Sequence, residues 1–312
     1  MPKCCSLPKG PLKWRDGNLC IKVSPCSKSI INSDPANVEW VALSAIDEHD
    51  RQVQSGSENV RKNAPESSVS IISIKDCPAL CVKHFRYRGA GHAAKGLFRP
   101  THGLRAFRSG TYLFEHGFTA AAPLSLVRKS RFKVTVEEWL VMSVVPDSKE
   151  LDRYLVACTT SQWSAQEKRN FLDVFADFLA CLHESGVFHT DLKTCNVLVY
   201  DRPHKPVKFS LLDYDDVRVF RSGVSLKRRA KNLAQLFLST PSDIDMDDRM
   251  KFLDRYLLAC SKTNIEKRRL LKMVCNRIDG KSLLYVGPEG DISENWPAAN
   301  ELDRCYESFV GP

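Results

Sequence analysis

Apolar and polar positions change rhythm partway along this chain. Before residue 146 the apolar residues sit in short alternating or β-branched runs; after it they recur every three or four positions. The run 68–74 (SVSIISI) predicts a strand, 76–78 a turn, and 80–85 (LCVKHF) a second strand. Residues 104–116 predict a helix stopped at Gly117. Two further strands are expected at 124–129 (LSLVRK) and 136–145 (VEEWLVMSVV), closed by Pro146 and Asp147. Residues 151–158 predict a short helix. A long one starts at Ser164, where Ser164 and Glu167 spell a capping box. Its apolar stripe is Phe171, Val174, Phe175, Phe178, Leu179 and Leu182, and Gly186 ends it.

Helical spacing returns at 226–237, 247–260 and 265–278. Strands first and helices afterwards, with one β-containing insert at 188–217, predict an α+β fold in two lobes. The flanks are less patterned. A strand is expected at 19–23, a strand or helix at 38–45 (VEWVALSA), and a polar loop over 47–68. The expected division is a partly ordered N-terminal extension (1–55), a β-rich N-lobe (56–146), a helical C-lobe (147–280) and a loosely packed tail (281–312).

Composition adds a sign of charge. The 312 residues carry a formal net charge of +9. That balance suits an anionic partner, or simply a basic protein without one. The basic residues are concentrated: no Asp or Glu lies between Asp76 and Glu115, while Lys83, Arg86, Arg88, Lys95, Arg99, Arg105 and Arg108 do. Arginines with aromatic neighbours in an acid-free run point to anion recognition, and Arg99, Arg105 and Arg108 are the candidate substrate contacts. Glycines 89, 91 and 96 do not have the G-x-G-x-x-G spacing and follow the lysine strand instead of preceding it. No run of 18 apolar residues predicts a membrane span, and the first twenty residues hold no signal-like apolar core. A cytoplasmic protein with its twelve cysteines as thiols is the expectation.

The densest chemistry lies at 188–217, FHTDLKTCNVLVYDRPHKPVKFSLLDYDDV. His189, Asp191, Lys193 and Asn196 share one turn, and Asp213 ends the next apolar run. Phosphoryl transfer needs a divalent metal against the phosphates, cations on their oxygens, and a carboxylate that orients the attacking hydroxyl. The order Asp, Lys, Asn, Asp supplies those parts. Asp191 is the expected base and Lys193 steadies the transferred group. Asn196 and Asp213 would hold magnesium, and Lys83, alone in its apolar strand, would grip the phosphates of ATP.

The stretch H-x-D-L-K-x-x-N-V-L-V with L-L-D-Y-D-D-V resembles the protein-kinase-like fold, and within it the lipopolysaccharide kinase family. VKHFRYRG, KGLFRPTHGLRAFRSGTYLFEHG and KRRAKNLAQLF followed by DRMKFLDRYL extend the resemblance over roughly residues 60 to 262. It implies an ATP- and Mg-dependent kinase acting on a Kdo or heptose hydroxyl of the lipopolysaccharide core. The implied partner is an anionic glycolipid, met at the inner face of the cytoplasmic membrane, with no nucleic acid. Some family parts are replaced. Residues 63–68 (NAPESS) stand where a glycine-rich loop would lie, so backbone and serine hydroxyls would cover the phosphates. The metal turn reads Asp-Tyr-Asp, and no A-P-E platform for a peptide follows. Glu115 is the candidate glutamate for Lys83. A kinase with another acceptor, or a pseudokinase that binds without turnover, are the alternative readings.

Overall fold

The computed structural model describes residues 18–29, 35–87, 99–131, 134–201, 205–241, 243–260, 265–279, 281–286 and 292–297. The chain forms two compact units. One is Met1–Gly103 with Leu124–Met142; the other is Leu104–Pro123 with Ser143–Pro312.

The first unit is an antiparallel sheet backed by a helix. Its strands are β1 (Asn18–Val23), β2 (Val60–Asn63), β3 (Ser67–Ile72), β4 (Leu80–Arg86), β5 (Pro123–Arg131) and β6 (Val134–Ser143), in the order β1-β5-β6-β4-β3-β2. Helix α1 (Pro35–Ser55) lies against it. Val41, Ala42, Ala45 and Ile46 pack on Ile72, Leu80, Val82, Leu124, Val127, Trp139 and Val141, all buried. Side chains alternate across a strand, so Leu80, Val82 and His84 share the α1 face of β4 and Lys83 points to the other face.

In the N-terminal region one open reading resolves and one changes. Residues 38–45 are helical, and the helix continues to Ser55 through much of the stretch expected to be loop. The polar residues of that stretch were misread because α1 buries only one stripe; His49 (0% exposed) belongs to the buried side. The remainder becomes β2 and a tight turn to β3, in which Ala64 and Ser67 exchange backbone hydrogen bonds of 2.9 and 3.2 Å.

The second unit is mostly helical. It contains α2 (His102–Glu115, from Leu104 onward), α3 (Leu151–Thr160), α4 (Ala165–Glu184), α5 (Leu226–Ser239), α6 (Met246–Ala259) and α7 (Lys267–Ile278). Short strands join them: β7 (Lys149–Glu150), β8 (Val187–His189), β9 (Val197–Tyr200), β10 (Lys208–Leu211) and β11 (Val217–Val219). β10, β9 and β7 form one antiparallel sheet and β11 pairs with β8. A terminal hairpin, β12 (Ser282–Val286) and β13 (Ile292–Pro297), occupies part of the stretch expected to be tail.

Helix α4 begins as its sequence dictates. The Ser164 hydroxyl accepts from Glu167 N–H at 3.2 Å, and the Glu167 carboxylate accepts from Ser164 N–H at 3.0 Å. Phe171, Phe175 and Phe178 then meet Phe209 of β10, with ring centroids 5.6, 4.9 and 5.3 Å apart. Val174, assigned to this stripe from spacing, is instead 42% exposed, and Leu172 is buried in its place. Gly186 ends the helix at φ 80°, and a Cβ there would lie 1.8 Å from the Phe220 carbonyl oxygen. Phe220 N–H donates to the Gly186 carbonyl at 2.9 Å, so the two backbones touch.

Replacing Gly186 adds both a left-handed strain and a backbone clash. Gly186→Ala is expected to cost more than about 2 kcal/mol of unfolding free energy, measured by urea denaturation. Burial also holds His183 of α4 down at about 3, against an ordinary 6.5. The folded state therefore refuses a proton that the unfolded chain accepts. Its stability is complete above pH 6.5 and lost as pH falls towards 3. His183→Gln should flatten the acid limb of a stability–pH curve by up to about 1.4 kcal/mol per pH unit.

Candidate active site

The turn after β8 is built on His189, whose side chain is fully buried. Its Nε2 lies 2.9 Å from the Leu212 carbonyl and its Nδ1 accepts from Asp191 N–H at 3.2 Å. Those two bonds define the tautomer with the proton on Nε2. They also tie the turn that carries Asp191 to the end of the run that carries Asp213. Leu212 N–H donating to the Asn196 carbonyl at 2.9 Å adds a second tie.

Within the turn, Asn196 Nδ2 donates to the Asp191 carbonyl at 2.8 Å, leaving its Oδ1 as an acceptor. Lys193 Nζ lies 3.4 Å from Asp191 Oδ2, both side chains about half exposed. Thr194 closes the turn on α5: its N–H donates to Ser239 Oγ at 2.9 Å and its hydroxyl to the Ser239 carbonyl at 2.5 Å. Leu192, buried, anchors the turn from beneath.

Asp213 is exposed and stands at φ 57°, ψ 54°, the left-handed region. Aspartate tolerates this conformation better than most residues, so the turn needs no glycine. Asp216 N–H donates back to the Asp213 carbonyl at 3.1 Å. The Thr190 hydroxyl donates to Asp216 Oδ1 at 2.7 Å, joining the two turns a third time. Tyr214 is buried; its hydroxyl donates to the Ala121 carbonyl at 2.9 Å and lies 2.7 Å from Thr119 Oγ1. Helix α2 packs on this turn. A Cβ on Gly110 would lie 2.6 Å from the Tyr214 ring, and Arg105 Nε donates to the Asp215 carbonyl at 3.3 Å.

Sequence reading missed the residues that hold Asp191 from behind. They come from one face of α5, at 231, 232 and 235, a helical spacing that was legible. Gln235 Nε2 donates to the Thr190 carbonyl (2.9 Å) and to Asp191 Oδ1 (3.3 Å), while its Oε1 accepts from Leu192 N–H (3.2 Å). Lys231 Nζ donates to the Thr190 carbonyl at 2.6 Å, and Asn232 Nδ2 to the His189 carbonyl at 2.5 Å. Asn232 is in turn oriented by buried groups. Its Oδ1 lies 3.1 Å from His183 Nε2, whose Nδ1 meets the Tyr256 hydroxyl at 2.9 Å. Arg229, 1% exposed, donates to that hydroxyl at 3.2 Å and pairs with Glu184 at 2.7 Å.

The second unit thus brings Asp191, Lys193, Asn196 and Asp213 together. Of the basic candidates, Arg105 is half-buried on the Asp215 carbonyl and Arg108 is exposed. Glu115 is exposed at the end of α2. Lys83 and Arg99 belong to the first unit. Lys83 is partly buried in β4, opposite Val69 of β3, with its ammonium 5.0 Å from the Phe85 ring centroid. Arg99 is exposed; Arg88 and Lys95 lie outside the described residues. In the turn that replaces a glycine-rich loop, one expected hydroxyl is committed elsewhere. Ser68 is buried, bonded to Arg86 Nη2 at 2.8 Å and His49 Nε2 at 2.9 Å.

A β-rich unit, a helical unit, an Asp–Lys–Asn turn and an acidic turn at the end of the next strand define the protein-kinase-like class. A solved structure described as WaaP in complex with acyl carrier protein aligns over 83% of this chain and 97% of its own, with TM-score 0.55 and 17% identity. At that identity the likeness speaks for the fold. A curated relative, ribosomal protein S6 kinase alpha-6 of Mus musculus, is 32% identical over 83 residues. The match spans 27% of this chain and a tenth of that relative's length. The Lipopolysaccharide kinase (Kdo/WaaP) family matches residues 80–256, more than half of the chain. The chain belongs to that family. Among the described residues no helix is long and apolar enough to cross a membrane.

Gln235 touches the backbone on both sides of Asp191 and its carboxylate, so it is a positioning residue. Gln235→Ala is expected to lower kcat of phosphoryl transfer by on the order of a hundredfold, with KM for nucleotide little changed. Steady-state kinetics check this, and an equal rise in KM would contradict it.

Proposed function

We propose that this protein uses ATP and magnesium to phosphorylate a sugar hydroxyl, of Kdo or heptose, in the lipopolysaccharide core. The observation that carries the reading is the convergence of Asp191, Lys193, Asn196 and Asp213 on two turns tied through His189, in a chain of the lipopolysaccharide kinase family. The donor set suits magnesium: an exposed carboxylate on Asp213 and the amide oxygen of Asn196 are hard oxygen ligands. Magnesium-ATP supplies the phosphoryl group and the charge that neutralises it.

The remaining work falls to the chain. Asp191 accepts a hydrogen bond, and then the proton, from the sugar hydroxyl as its oxygen becomes the nucleophile. Gln235 fixes one carboxylate oxygen, and the other faces Lys193. Lys193 sits where a cation steadies the equatorial oxygens of the group in flight. Lys83 grips the earlier phosphates. Arg99 and Arg108, both exposed, meet the acceptor's anionic groups, and Arg105 keeps α2 on the acidic turn. Only residues 220–225 separate β11 from α5, too few for a peptide platform, which favours a small or glycan acceptor. An anionic glycolipid acceptor would put the reaction at the inner face of the cytoplasmic membrane, with the basic run towards the lipid surface.

The experiment incubates purified protein and magnesium-ATP with lipopolysaccharide fractions truncated at successive core sugars. Phosphate should enter one class of fraction only, and Asp191→Asn or Asp213→Asn should lower the rate at least about a thousandfold. Transfer to a protein or small molecule alone would replace the acceptor. If ATP raises the melting temperature equally with and without magnesium and no transfer occurs, the chain is a pseudokinase.

A further inference from the structure

Polar groups are gathered under the sheet of the first unit, on the face away from Lys83. His49 and Asp50 are neighbours on α1, and His84 continues the buried row Leu80, Val82 along β4. One potential ligand atom from each of His49, Asp50 and His84 lies within 4.8 Å of the other two. From these residues we propose a transition-metal site of zinc type, separate from the phosphoryl-transfer centre, which clamps α1 to β4.

Two independent observations carry it. His84 is 4% exposed and its ring stacks on Trp139 at 4.5 Å, yet its Nδ1 has no hydrogen-bond partner. Its Nε2 contacts Glu137 Oε1 at 3.3 Å. A buried polar atom without a partner is costly and calls for an explanation. A metal bond supplies one. The second observation is the donor set. Two imidazoles and a carboxylate suit zinc and related divalent transition ions, whereas magnesium takes oxygen ligands and keeps its waters. Glu137 or a water completes four-coordination.

His49 requires a rearrangement that its surroundings permit. Its two nitrogens face the hydroxyls of Ser70 at 2.5 Å and Ser68 at 2.9 Å. One nitrogen would turn to the metal, and the serine on the other would orient the ring, as outer-shell partners of ligating histidines do. Ligand atoms around tetrahedral zinc stand on the order of 3.4 Å apart, so side-chain rotations must draw the cluster together. The local charges are balanced: Asp50 and Glu137 stand against Lys129, 3.2 Å from Glu137, and Arg86, which is bonded to Ser68 and the Ala64 carbonyl.

The test uses the full chain without nucleotide, loaded with zinc, desalted and assayed for bound metal. About one equivalent should remain, and zinc should raise the melting temperature. His84→Phe preserves the stacking on Trp139 and Asp50→Asn the shape of the carboxylate, so both should fold by circular dichroism. Each should weaken zinc binding at least about tenfold, while Asp213→Asn leaves it unchanged. Cobalt(II) should give a d–d spectrum without a thiolate charge-transfer band. No zinc retained by the wild type, undiminished zinc in both His84→Phe and Asp50→Asn, or a thiolate band would each overturn the site.

Discussion

At the centre of the second unit the buried His189 ring donates to the Leu212 carbonyl and so links the two acidic turns from inside. Asp191 and Asp213 are 22 positions apart in sequence and belong to different turns. For the phosphoryl transfer proposed above, an error of about 1 Å in their relative placement would slow the reaction about a hundredfold. His189 fixes that placement from inside, bonding the Asp191 amide with one nitrogen and the Leu212 carbonyl with the other. The supporting groups converge on the same backbone. Asn232 bonds the His189 carbonyl, and Asn232 is itself set by His183, Tyr256 and Arg229. A buried arginine, costly by desolvation alone, is tolerable here because Glu184 and the Val224 carbonyl, 2.7 Å from its Nε, share its charge.

Much of this was legible in the sequence where chemistry and period coincide. The turn carrying Asp191, Lys193 and Asn196 is spelled by adjacent residues, and the capping box at Ser164 announces α4. Strands 68–74 and 80–85 appeared as β3 and β4 because β-branched runs there meet a buried face. The long helix α1 was legible only in part, with 38–45 open as strand or helix and the rest read as loop. From residue 47 to 55 it is mostly charged or amide-bearing, and its core stripe of alanine, valine and isoleucine lies in the half before that. Its buried His49 looks like any loop histidine until the sheet is placed beside it. The supporting face of α5 was read only for its apolar residues. Lys231, Asn232 and Gln235 acquire their roles from a backbone more than forty residues upstream. Local sequence carries no trace of such a partner.

Where the chain departs from the usual kinase pattern, side chains take over tasks that glycine performs. The acidic turn reads Asp-Tyr-Asp, and Asp213 itself adopts the left-handed conformation. Between β2 and β3 the turn is closed by paired backbone bonds across Pro65 and Glu66. Neither substitution is neutral. The first exchanges conformational freedom for an anchored ring, and the second leaves a short turn closed by its own backbone.

The anchored ring has a consequence for control. Tyr214 has its hydroxyl bonded to Thr119 and Ala121 and its ring against Gly110 of α2. An enzyme whose metal-binding turn can swing outward has a built-in off state, reached by unseating one side chain. Here the seat lies inside the protein, shared with a helix that has no room for even one more carbon at position 110. Emptying it would mean breaking two hydrogen bonds and lifting α2 at once. The acidic turn is thereby held in a single arrangement by the same packing that seats α2.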